Sequence, residues 1–91
     1  MRSSTIAAFW RLFRGLPPEV RRRARETFET FKNDPFDPRL QFKEIKSRKG
    51  VWSVRIDGGY RALGRRQADQ ITWFWIGSHD EYLRLIGKKR S

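Results

Sequence analysis

Two N-terminal helices packed on a three- to four-stranded antiparallel sheet, with a short C-terminal helix, form the α+β fold that this 91-residue chain predicts. Three observations predict it. Phe9, Leu12, Phe13 and Leu16 recur at i, i+3, i+4 and i+7, and Val20, Ala24, Phe28 and Phe31 repeat a helical stripe after Pro17 and Pro18; such spacing puts side chains on one helix face. From Leu40 onward the apolar period drops to two, as in a strand with one buried face. The apolar run ITWFWI then ends on SHDE, which has the form of a capping box and starts a helix.

In chain order, FWRLFRGL is the first helix, and Gly15 with Pro17-Pro18 ends it. Proline in a first helical turn loses no hydrogen bond, so the second helix starts at Pro18. That helix turns Arg21, Arg22 and Arg25 toward water, with Arg22–Glu26 and Arg25–Glu29 as i, i+4 pairs worth about 0.2–0.5 kcal/mol each. NDPFDP stops it in a turn. Leu40 and Phe42 alternate with Gln41 and Lys43 in a short strand that frays into the basic loop KSRKG. Next, Trp52, Val54 and Ile56 face one way while Val51, Ser53 and Arg55 face the other. DGG turns the chain, YRALG returns antiparallel, GRRQADQ is a second turn, and ITWFWI, apolar on both faces, is a central strand. The last helix runs from His79 to Ile86, with Gly87 as its stop. This length holds one modest core, so residues 1–91 are expected to form a single domain, with no internal repeat or linker.

Composition narrows the function. There is no cysteine, which excludes a disulfide framework and a thiolate metal site. The longest apolar run is too short to span a bilayer, and Arg11 and Arg14 interrupt SSTIAAFW before it could serve as a signal h-region. A soluble, cytoplasmic protein is expected. Twenty-one Lys and Arg against ten Asp and Glu give a formal net charge of +11 and a pI near 11.3. A basic excess this dense on so small a domain points to a polyanionic partner, nucleic acid before membrane, because no basic amphipathic helix lacks an interior role.

Register decides where Arg55 and Arg61 point. A three-residue loop at residues 57–59 pairs Ile56 with Tyr60 and Arg55 with Arg61, keeping Trp52, Val54, Ile56, Tyr60 and Ala62 on the core side. Two guanidinium groups then stand side by side on the opposite face. Like charges on neighbouring strands repel, so the pair either holds an anion between its planar forks or splays into solvent. His79, the only histidine, falls in the first turn of the last helix, where free backbone N–H groups favour an anion. Its imidazole is a candidate proton acceptor, and Tyr82 at i+3 lies on the same helix face. With the basic loop at residues 46–49 these groups describe a positive concavity. No metal-ligand spacing, Gly-rich phosphate loop or Ser/His/Asp arrangement is present, so neither metal nor cofactor is expected.

Helix, helix, WSVRIDGGYRALG, then an apolar strand ending in WFWIGSHDEY resembles the RelE/ParE superfamily of toxins from type II toxin–antitoxin systems. The likeness covers about residues 9–86 and rests on LPPEV, on the spacing of Arg55, Tyr60 and Arg61, and on the closing His, acidic residue and Tyr. The resemblance implies a RelE-like fold and a cognate antitoxin that wraps the basic face of an otherwise monomeric toxin. In the RelE branch it further implies a metal-independent mRNA endoribonuclease acting on ribosome-bound message to inhibit translation. Carried over by position, Arg55 and Arg61 match the strand arginines that hold the scissile phosphate, and His79 and Tyr82 match the residues that close the last strand. Lys43 and Lys46 lie where that branch often keeps basic groups, and Lys46, Arg48, Lys49, Arg65 and Arg66 would hold RNA phosphates. The chain departs from the pattern at Asp80, where many relatives carry arginine. The alternatives are a ParE-like inhibitor of DNA gyrase and a noncatalytic nucleic-acid-binding domain.

Overall fold

Strands Arg2–Thr5 (β1), Lys43–Glu44 (β2), Val51–Asp57 (β3), Tyr60–Gln67 (β4) and Gln70–Ser78 (β5) form one sheet in the order β1-β5-β4-β3-β2. The helices are Ala7–Arg14 (α1), Pro18–Asn33 (α2) and His79–Leu85 (α3) in this computed structural model, which describes residues 1–87. The sheet is thus five-stranded and mixed, where three or four antiparallel strands were expected. The added strand, β1, runs parallel to β5. Its sequence RSST is polar and exposed throughout, so no apolar alternation announced it. Besides its ladder, it is held by Trp73 Nε1–H donating to Ser3 Oγ at 2.9 Å.

One face of the sheet carries α1 and α2. Phe9 and Phe13 of α1, with Val20, Ala24, Thr27 and Phe31 of α2, are buried; the apolar ones among them pack on Val54, Ile56, Ala62, Ile71, Trp73 and Ile76. Trp73 is 1% exposed, and the rings of Phe28 and Phe31 meet it edge-on at 5.1 and 5.3 Å. Such aromatic pairs add about 0.5–1.5 kcal/mol each beyond the area they bury. The expected ion pairs on α2 do not form among the described residues. Arg25 lies over the Phe13 ring, 5.3 Å from its centroid, and Arg21 donates to the Leu16 carbonyl, tying the two helices at their hinge.

The other face carries α3, whose Tyr82 and Ile86 pack over Ile45, Val51 and Leu63. A shift of register between Leu63–Trp75 and Gly64–Trp73 leaves Phe74 as an extra residue in β5. This bulge lets Trp73 and Ile76, three apart, both join the helix-side core, while Phe74 and Trp75 pack on the α3 side. The expected capping box is present: Ser78 Oγ accepts the Glu81 N–H at 3.2 Å, and Glu81 Oε1 accepts the Ser78 N–H at 3.3 Å. At the far end, Ser47 Oγ donates to the Ile86 carbonyl at 2.6 Å and Arg48 Nη2 to the Leu85 carbonyl at 2.8 Å. The basic loop therefore closes the helix that lies above it.

Two expected strand limits shift. Pro38–Leu40 is a single 3₁₀ turn whose first N–H groups are served by Asp37, and Gln41 turns left-handed at φ 47°, which leaves only Lys43–Glu44 to pair with β3. GRRQ belongs to β4, not to a loop, because the reversal needs only the two residues Ala68 and Asp69. Gly64 sits where β4 crosses beneath β5 side chains: a methyl there would lie 2.7 Å from Ile71 Cγ1 and 2.8 Å from Trp73 Cε3. Gly64→Ala is expected to destabilise the fold by about 1–3 kcal/mol through overpacking. Urea unfolding of the variant against the parent checks this.

Candidate functional site

Arg55 of β3 and Arg61 of β4 are register partners, and Gly77 of β5 faces Arg61 from the other side. Alternation along the strands puts both guanidinium groups on the α3 face, with Val51, Ser53 and Leu63. The expected pairing of the two arginines holds, but the turn that makes it differs. Asp57 pairs with Tyr60 across the two-residue turn Gly58-Gly59, and Ile56 is the extra residue of a bulge. The bulge keeps Ile56 in the helix-side core without moving Arg61 off its partner.

The turn is anchored from both sides. Asp57 Oδ2 accepts from Arg23 Nη1 of α2 at 2.9 Å, and its Oδ1 accepts the Gly59 N–H at 2.8 Å. The Ile56 carbonyl, freed from the ladder by the bulge, accepts from buried Thr27 Oγ1 at 3.4 Å. On the α3 side, Arg61 Nη1 donates to the carbonyls of Asp57 and Tyr60, and the His79 N–H donates to the Gly59 carbonyl at 2.8 Å. Burial of Asp57 by itself raises its carboxyl, but the hydrogen bonds from Arg23 and the Gly59 N–H outweigh this and hold it below the usual 3.8.

Burial first, and the charge of Arg55 second, push the Arg61 guanidinium below its usual pKa. Both effects penalise the cation, and an anion between the two forks would relieve both. Arg55 lies over the turn, its Nη2 beside Gly58, and has no hydrogen-bond or ion-pair partner among the described residues. His79 is half-buried at the head of α3, its ring 5.7 Å from that of Tyr82. Tyr82 itself is 6% exposed, and its hydroxyl donates to Ser53 Oγ at 3.4 Å. The four residues singled out in the sequence therefore converge, but Tyr82 forms the floor under His79 instead of an open edge. Ser53 and Asp57 were not singled out. Ser53 could have been read from its place two residues before Arg55 on the same strand face, whereas nothing local marked Asp57 as more than a turn residue.

Five of the six expected RNA-contacting residues flank α3. Lys43 and Lys46 line a groove of about 460 Å³ with Tyr82 and Ile86. Arg48, Lys49 and Arg65 line a second, of about 440 Å³, with Leu63, Phe74 and Leu85. Arg66 is the exception: it points to the helix side, with its guanidinium 4.6 Å from the Trp52 ring centroid and near Phe36 and Phe42. Successive strand residues point to opposite faces, so Arg65 and Arg66 cannot serve one surface. A larger groove, about 870 Å³, lies on the helix side between β1, α1 and α2 and is walled by Trp10, Phe13 and Phe28. It has none of the paired arginines or the histidine, so the candidate site is the cationic α3 face despite its smaller grooves. Among the described residues no three His, Cys, Asp or Glu side chains gather as metal ligands, and no helix is long and apolar enough to cross a membrane.

Residues 18–84 match the family model of the ParE-like toxin domain. The chain belongs to the ParE-like toxin family. No curated protein matches it by sequence. Among solved structures, the RelB–RelE antitoxin–toxin complex from Methanococcus jannaschii is similar at TM-score 0.73 and 18% identity, with 90% of this chain and 96% of that one covered. The toxin–antitoxin complex RelBE2 from Mycobacterium tuberculosis is similar at TM-score 0.68 and 22% identity, covering 86% and 96%. The YoeB/ParE toxin from Agrobacterium tumefaciens is similar at TM-score 0.67 and 16% identity, covering 87% and 99%. At these identities the likeness is one of fold. The three-helix, mixed-sheet architecture is that of RelE-like toxins.

Arg55→Gln is expected to raise stability at low salt by about 0.2–1 kcal/mol, since it removes a like charge facing Arg61. The gain should shrink as salt screens the pair, and unfolding midpoints at two ionic strengths measure it. Because the folded Asp57 carboxyl is depressed below 3.8, the stability it contributes is present above that value and is lost as pH falls through the folded one. Asp57→Asn should therefore be less stable than the parent near neutral pH, and the two should converge in acid.

Proposed function

We propose that this protein is the toxin of a toxin–antitoxin pair and an endoribonuclease that cuts ribosome-bound message without a metal ion. The single observation that carries the reading is the pair Arg55 and Arg61, held side by side and beside the helix head that bears His79. The RNA 2′-oxygen bonds to the adjacent phosphorus as His79 accepts its proton, the bond to the 5′-oxygen breaks, and solvent protonates the departing oxygen. The products are a 2′,3′-cyclic phosphate and a 5′-hydroxyl. Proton transfer of this kind contributes typically about 10²–10⁴ in rate, and the two guanidinium groups stabilise charge on the phosphoryl oxygens in a partly desolvated site. The buried Tyr82 hydroxyl, engaged by Ser53, supports His79 over Tyr82 as the proton acceptor. The solved relatives from M. jannaschii and M. tuberculosis are complexes of toxin with antitoxin, which supports a cognate antitoxin as the partner of this chain.

A second reading has a specific observation behind it: the matching family model is ParE-like. In that reading the protein would bind and poison DNA gyrase, and His79 would be dispensable. Induced cells separate the two, because cleavage yields new message 5′ ends and gyrase poisoning yields DNA damage.

Arg61→Ala and His79→Ala are each expected to lose at least about 10²-fold in cleavage of ribosome-bound message while keeping the parent's circular dichroism. Equal cleavage by both variants would reject the site. If Lys43, Lys46, Arg48, Lys49 and Arg65 each meet one phosphate, affinity for single-stranded RNA should fall about 10²-fold between about 50 and about 200 mM salt. Filter binding across that range checks it.

A further inference from the structure

We infer that Asp57 is a positioning residue: through the β3–β4 turn it ties helix α2 to Arg61 and His79 and so holds the site in register. This rests on the reading of the arginine pair as the reactive site, and the geometry behind it is independent of that reading. Arg23 and Thr27 lie one turn apart on the same face of α2. Arg23 holds the Asp57 carboxylate and Thr27 holds the Ile56 carbonyl, so α2 grips both residues of the bulge. From the same four-residue turn, the carbonyls of Asp57 and Tyr60 take the Arg61 guanidinium, and the Gly59 carbonyl takes the His79 N–H.

Each of those bonds restrains a group that would otherwise move. Arg61 and Arg55 repel across the ladder, and the two carbonyls are what keep Arg61 from swinging away. The α3 helix is only 7 residues long; its capping box shapes the first turn, and the Gly59 carbonyl joins that turn to the β3–β4 hairpin. The carboxylate does the remaining work by bonding the Gly59 N–H at 2.8 Å, which sets the turn's shape. An ion pair with Arg23 half exposed adds little to global stability, so removing it should disturb the site far more than the fold.

The test uses the full chain and the variants Asp57→Ala, Asp57→Asn and Arg23→Gln. Asp57→Ala is expected to lower kcat for ribosome-bound message about 10–100-fold with KM nearly unchanged, as a displacement of about 1 Å in reacting groups does. Asp57→Asn keeps an acceptor for the Gly59 N–H and should fall between Ala and the parent. Hydrogen exchange followed by NMR should quicken at the His79 amide and the Arg61 side-chain N–H, while core amides such as that of Trp73 hold their protection. Arg23→Gln should act in the same direction, and combining it with Asp57→Ala should add nothing. Unchanged exchange at His79 and Arg61 in a folded Asp57 variant would overturn the inference, as would multiplying effects of the two substitutions. So would quickened exchange with unchanged kcat. If Asp57→Ala does not fold, Asp57→Asn and Arg23→Gln decide on the same readouts. Should the parent itself fail to cut message, the nuclease reading falls, and the exchange measurements still decide whether Asp57 positions the two groups.

Discussion

Strand β5 is packed on both faces, with Ile71, Trp73 and Ile76 buried against α1 and α2 and with Phe74 and Trp75 partly buried on the side of α3. A strand in that position cannot slip by one residue without exposing a full set of large side chains, so it sets the register of everything paired to it. Through β4 it fixes Gly77 beside Arg61, and through β3 it fixes Arg61 beside Arg55. The bulge at Phe74 is part of the same constraint, since without it Trp73 and Ile76 would point to opposite faces. The end of β5 then becomes the start of α3 with no intervening loop, and His79 inherits its place from the strand that precedes it.

Held in that frame, the arginine pair is a local cost. Two like charges face each other, one of them partly desolvated, and the Asp57 carboxylate, whose charge acts on Arg61, is bonded to Arg23 of α2. Local violations of this kind tend to sit at functional sites, where the rest of the fold supplies the compensating stability. Here the compensation comes from the aromatic core around Trp73 on one face and from the packing of Tyr82 and Ile86 on the other. The basic loop at residues 46–49 contributes to both ends of the problem: it caps α3 with Ser47 and Arg48 and adds cationic groups to the grooves that flank the helix.

Membership of the ParE-like toxin family and the RelE-like fold leave the activity to be argued from the site, because one fold hosts several chemistries. The proposed RNA chemistry rests on the grouping of arginines, histidine and flanking lysines on one face. The larger groove, about 870 Å³, lies on the other face, with Trp10, Phe13 and Phe28 in its wall. Asp80, exposed beside His79 in the first turn of α3, leaves the arginine pair as the main source of positive charge where phosphate would sit.

The amino-acid pattern alone determined both N-terminal helices, the β3–β4 pairing of Arg55 with Arg61, the two-faced strand around Trp73 and the capping box that starts α3 at His79. Each is a local periodicity or a local hydrogen-bonding motif, written in residues within one or two turns of one another. It did not determine β1, whose four polar residues pair only because β5 offers an open edge, nor the opposite facing of Arg65 and Arg66, which follows from how far β4 extends. Only the tertiary structure decided that Tyr82 is buried on Ser53 and that Asp57 answers to Arg23, 34 residues earlier in the chain. These are contacts between elements, and the energy that selects them is the burial of a whole core, which no short stretch of sequence records.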